Sequence, residues 1–156
     1  MRTGTKWEET VKNRKRMIEV CPNVDFYISS TVSLPNAFHV ADFHRNWVEQ
    51  GLIKPQDFNY NLLQMPTWQR LDILPLEYKE QIKEKYTTHL EWLKEQDHLT
   101  RASKGYESAL DWMFKKDNTK HLPWFFERTK KYDEVRNEKF TDVFPEWKEL
   151  FDKYDK

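Results

Sequence analysis

Side chains suited to chemistry cluster on two short alternating stretches. From residue 26 to 34, apolar Phe26, Ile28, Val32 and Leu34 alternate with polar Tyr27, Ser29, Thr31 and Ser33, and Asn36 follows two residues later. From residue 58 to 63, Phe58, Tyr60 and Leu62 alternate with Asn59 and Asn61. A period of two puts each set on one face of a β-strand. Hydroxyls and carboxamides are neutral donors and acceptors, so such a face meets water, more protein, or a polar cofactor held near the carboxyl ends of strands lining an open barrel.

The remaining candidates are weaker. His39 and His44 lie five residues apart, and His89, His98 and His121 are scattered. None forms the i, i+4 histidine pair with a carboxylate that a zinc hydrolase helix needs, so no metal ligands are assigned. Asp42 with His44 has the residue types of an acid–base pair, but two solvent-facing side chains of one helix account for them more simply. No G-x-G-x-x-G, G-x-x-x-x-G-K-[ST] or G-x-S-x-G occurs, which leaves dinucleotide, P-loop and serine hydrolase readings without local support. No catalytic residue is assigned. Trp124, Phe125 and Phe126 read as helix-packing aromatics rather than as a base-stacking platform, since no basic groove surrounds them.

Cys21 is the one cysteine among 156 residues. An internal disulfide, a thiolate-held cluster and the multi-cysteine zinc patterns are therefore beyond this chain. Lysine plus arginine and aspartate plus glutamate number 26 each, which leaves no net field to attract nucleic acid or an anionic membrane. No apolar run nears the roughly 20 residues of a membrane span, and the start of the chain is polar, so a cytoplasmic protein is expected.

The positioning elements follow from periodicity. Thr5 and Glu8 have capping-box spacing before a helix over residues 6–20 with Trp7, Val11, Ile18 and Cys21 inward. The two strands flank a helix with Val40, Phe43, Trp47 and Val48 inward, ended by Gly51. That order predicts a βαβ unit with parallel strands, with a weaker third strand over 70–73. Helices are expected over 76–95, 99–116, 123–137 and 145–154. The predicted fold is α/β: a partial parallel β/α barrel remnant of two to three strands over residues 1–75, followed by a C-terminal helical cap over 76–156 packed with it as one domain.

Several segments carry a resemblance: residues 2–7 (RTGTKW), 21–34 (CPNVDFYISSTVSL), Asn36, 42–45 (DFHR), 51–59 (GLIKPQDFN), Leu74 with Pro75, 105–108 (GYES), 133–136 (DEVR) and 144–146 (FPE). Together they resemble the C-terminal part of radical SAM proteins, and more narrowly the twitch-domain-containing type found in phage and bacterial genomes. The likeness runs over essentially the whole chain.

It implies a partial β/α barrel, a [4Fe–4S] cluster on a C-x-x-x-C-x-x-C loop, and reductive cleavage of S-adenosylmethionine to a 5′-deoxyadenosyl radical. This chain lacks that loop, and a cluster of that kind needs three thiolates. No cluster is expected on it, and activity would require an N-terminal half that carries one. By the same resemblance Thr31, Ser33 and Asn36, with Asn59 and Asn61 on the neighbouring strand, would contact S-adenosylmethionine; Asn36 equally suits a cap of the following helix. The likeness also suggests that Met1 is an internal methionine of a longer ancestor. The expected partners are that N-terminal half or a second copy meeting exposed strand edges, and the rival reading is a non-catalytic binding or assembly module that kept the fold.

Overall fold

The computed structural model describes residues 6–156. Helix α1 spans Trp7–Val20, β1 Ile28–Val32, α2 Val40–Glu49 and β2 Phe58–Leu62. Helices α3 (Leu76–Leu93), α4 (Arg101–Lys115), α5 (Leu122–Arg136), α6 (Phe140–Val143) and α7 (Lys148–Tyr154) complete the chain. It is an α/β protein, mostly helical, built on one two-stranded parallel sheet. The register pairs Ile28 with Phe58 and Val32 with Leu62.

The β1–α2–β2 crossover forms as the alternation predicted, and Gly51 closes α2 at φ +67°, a backbone conformation that costs glycine little. The third strand does not form. Residues Leu71–Ile73 make a 3₁₀ turn instead, because their polar groups are committed elsewhere. Buried Asp72 takes the Arg70 guanidinium and, at 2.6 Å, the Asn118 carboxamide, while its carbonyl accepts the Asn118 N–H at 3.2 Å. This knot ties the turn to the connection between α4 and α5.

Helix α1 also departs from expectation. Trp7, Ile18 and Cys21 are exposed and no residue of α1 is buried. The helix touches the body through the Trp7 ring, 5.9 Å from Phe43 and 5.6 Å from Trp47, and through Arg14, whose Nε donates to the Leu52 carbonyl at 2.8 Å. The predicted stripe exists, but little protein lies opposite it. The Thr5 half of the predicted capping box falls outside the described residues.

Helix α4 covers β2, and Gly105 permits the approach: a Cβ there would stand 2.5 Å from Tyr60 Cβ. Beneath this contact Tyr60, Tyr86 and Tyr106 form a buried group of edge-on rings 4.8–5.9 Å apart. The Tyr86 hydroxyl donates to the Ala37 carbonyl at 3.0 Å and meets the Tyr60 hydroxyl at 3.0 Å, while Tyr106 donates to the Val40 carbonyl at 3.3 Å. Helix and strand are thereby bound to the start of α2. Burial raises the pKa of all three phenols, so they stay protonated donors.

The C-terminal helices α5–α7 pack beyond the carboxyl end of β1 rather than on the sheet. Trp147 is fully buried and its Nε1 donates to the Pro35 carbonyl at 3.2 Å, linking the last segment to the turn after β1. Phe125 and Phe126 point inward onto Phe151, with ring centroids 5.8 and 4.8 Å away, whereas Trp124 is exposed. None of the helices among the described residues is long and apolar enough to cross a membrane.

Gly105→Ala is expected to destabilise the fold by about 1–3 kcal/mol, since the obstructing atom is a Cβ that cannot swing away. Urea unfolding of the variant would check this.

Candidate functional site

The sheet has two unlike faces. Phe58 is fully buried and Tyr60 nearly so beneath α4, together with Val32; on the opposite face Tyr27, Ser29, Thr31 and Asn61 are exposed and Asn59 is half-buried. Among the described residues no helix covers that second face to more than a marginal extent. Parallel sheets are normally covered on both faces, so a bare polar face is the feature of this fold that calls for a partner or ligand.

The five predicted residues do not form one cluster. Thr31, Asn59 and Asn61 share the bare face, with Ser29 opposite Asn59 and Thr31 opposite Asn61 in the register. The Asn61 carboxamide donates to the Ser29 hydroxyl at 2.8 Å, leaving its oxygen available, and Asn59 makes no side-chain hydrogen bond among the described residues. Ser33 and Asn36 lie past the carboxyl end of β1, where they border a cleft of about 310 Å³ with Trp68, Gln69, Thr129 and Arg136. The cleft is where open α/β sheets commonly bind ligands.

Asn36 has a defined local task. Its Nδ2 donates to the Thr31 carbonyl at 3.0 Å and its Oδ1 accepts the Ser33 N–H at 2.9 Å, so both ends of the carboxamide are held by backbone. It does not cap α2, whose N-cap position belongs to His39. A group so engaged has little left to offer a ligand.

The sequence reading missed the buried histidines. His44 is fully buried rather than solvent-facing, and His89 on α3 is 5 % exposed. Their rings meet through His89 Nε2 and His44 Nδ1 at 3.0 Å, and His44 Nε2 reaches the Pro55 carbonyl at 3.0 Å. A carbonyl only accepts, so His44 carries its proton on Nε2. Its Nδ1 lone pair then accepts from His89 Nε2–H, and both rings are neutral. Phe58 stacks on His44 at 4.2 Å and Trp92 on His89 at 5.1 Å. Burial pushes His44 down to about 4, partly countered by its bond to Pro55. Burial, with the facing His44 and the Arg45 charge, pushes His89 to about 3. The available signal was the i, i+3, i+4 placement of His44 with Val40, Ala41, Trp47 and Val48 on one helix stripe.

Asp42, by contrast, is exposed and pairs with Lys85 at 2.6 Å. The structure therefore separates Asp42 from His44 as chemical partners. Among the described residues no group of three or more histidine, cysteine, aspartate or glutamate side chains is arranged to hold a metal ion.

Compared with protein-family models, with curated proteins and with solved structures, the chain matches none of them.

Two outcomes follow from this geometry. Because both histidines bind fewer protons folded than unfolded, their contribution should be full well above the unfolded value near pH 6.5 and be lost as pH falls through it toward the folded values of about 4 and about 3, by up to about 3 kcal/mol per pH unit. His89→Gln, which keeps a donor toward His44, should halve that slope in urea titrations at stepped pH. Asn36→Ala should cost about 1–2 kcal/mol through its turn, while Asn59→Ala stays within about 0.5 kcal/mol of wild type; thermal melts compare them.

Proposed function

We propose that this chain is the C-terminal portion of a radical SAM-type enzyme, contributing one wall of an S-adenosylmethionine pocket that a cluster-bearing N-terminal half completes. The observation that carries the reading is the uncovered polar face of a parallel βαβ unit, with Thr31, Asn59 and Asn61 side by side on it. The segment-by-segment resemblance supplies the cofactor; the geometry supplies a surface whose neutral donors and acceptors suit its hydroxyl, amino and carboxylate groups.

The residues fit the two implied groups differently. For S-adenosylmethionine, the Thr31 hydroxyl, the Asn59 carboxamide and the Asn61 carbonyl oxygen remain to bind and orient it, whereas Asn36 is engaged in its own turn. When bound, that cofactor would supply the radical precursor. For a [4Fe–4S] cluster the residues do not fit, because Cys21 is the one thiol of the chain and lies exposed in the loop after α1. Electron delivery and bond cleavage are consequently assigned to the N-terminal half.

The lone thiol and the engaged Asn36 favour a second reading, a non-catalytic binding or assembly module that retained the fold. Titration calorimetry with S-adenosylmethionine separates the two. The first reading expects measurable binding that weakens about tenfold or more in Asn59→Ala, with an unchanged circular dichroism spectrum. No heat at millimolar cofactor, for the chain alone or co-expressed with a cysteine-bearing half encoded beside it, would favour the module instead.

A further inference from the structure

We infer that the outer edge of β1 is a docking site for one extended segment of a partner chain, added parallel to β1 opposite Ser29–Thr31, and that the Asn36 carboxamide marks where the added strand must end. The inference rests on the reading above and deepens it by naming how the partner attaches.

The direction of the backbone groups follows from one hydrogen bond. The Val32 carbonyl accepts the Leu63 N–H at 2.9 Å, so the peptide groups of Val32 face β2. Alternation along a parallel ladder turns those of Ser30 and Ile28 the same way and aims those of Ser29 and Thr31 outward. β2 is the one element that packs on β1 to more than a marginal extent among the described residues. Ser29 N–H, Ser29 C=O and Thr31 N–H are thus open, as on an unprotected sheet edge.

The next two outward groups, Thr31 C=O and Ser33 N–H, are already taken by Asn36 at 3.0 and 2.9 Å. In a parallel ladder these two groups would be satisfied by the N–H and C=O of a single residue of the neighbouring strand; in an antiparallel ladder two different residues would do so. The carboxamide therefore stands in for one residue of a parallel neighbour. An antiparallel neighbour that pairs residue for residue with Thr31 would need the Thr31 carbonyl, which Asn36 already occupies, while three groups upstream stay free.

The faces of the sheet specify the partner's composition. On one side of the open edge lie exposed Ser29 and Thr31, on the other half-buried Phe26 and Ile28. A fitting segment alternates, with hydroxyl or amide side chains over Thr31 and β-branched or other apolar side chains beside Ile28.

The test uses the whole chain and an acetylated, amidated heptapeptide KTVTVTK, followed by amide chemical shifts. Before peptide is added, the Ser29 and Thr31 amides should exchange with deuterium far faster than those of Ser30 and Val32. Peptide should then shift residues 27–33 saturably, and the same peptide N-methylated at alternate residues on the pairing edge should not. Asn36→Ala should tighten binding about tenfold, the worth of the two groups it frees. Should that variant fail to fold, Asn36→Asp, which keeps the acceptor for Ser33 and frees Thr31 C=O alone, should show a smaller gain. Slow exchange at Ser29 and Thr31, shifts located elsewhere, equal binding of the N-methylated peptide, or a dimer in sedimentation that protects Ser29 would each overturn the inference. No S-adenosylmethionine is involved, so this test can fail while cofactor binding stands, and the reverse.

Discussion

The pairing of β1 with β2 in parallel, with Ile28 opposite Phe58, is the constraint on which the other placements depend. Side chains alternate along a strand, so that single register sends Phe58, Tyr60 and Val32 beneath the helices and leaves Ser29, Thr31 and Asn61 outside. A slip of one residue would bury two carboxamides and expose two aromatic rings. The aromatic layer under α4 makes such a slip costly, because the Tyr60 hydroxyl must reach Tyr86 and the Phe58 ring must stack on His44.

That layer also explains a polar interior. Buried donors and acceptors are tolerated when each meets a partner. Tyr86 and Tyr106 donate to the carbonyls of Ala37 and Val40, and the two imidazoles pass one hydrogen bond on to Pro55. The same arrangement makes the core dependent on pH, since a proton added to either ring would have to remain charged among Phe58, Trp92 and Tyr106.

One-sided burial is the feature of the fold on which the proposed function rests. Among the described residues the helices bury Phe58, Tyr60 and Val32 on one face and cover the other at most marginally, and the edge of β1 next to Asn36 is finished by a side chain rather than by a strand. Both features fit a polypeptide that works against something else, whether a cofactor, a second polypeptide, or both. The chain's single sulfur ligand restricts what chemistry it could add to such an assembly.

Much of this was legible in the residues. Alternation at 26–34 and 58–63, the apolar stripe of α2 and Gly51 were enough to set down a parallel βαβ unit followed by helices, and the count of one cysteine bounded the cofactor chemistry, because both arguments need local spacing or arithmetic alone. Where the reading departed from the structure, the deciding contact was remote in sequence: Asn118 holds 71–73 in a 3₁₀ turn, the few contacts made by α1 among the described residues leave most of its stripe exposed, and α3 brings His89 to His44. The task of Asn36 is nearby in sequence yet was equally hidden, since a carboxamide suits a helix cap, a ligand and a strand edge alike. Residue type states what a group can bond to; only the folded backbone states which partner arrives first.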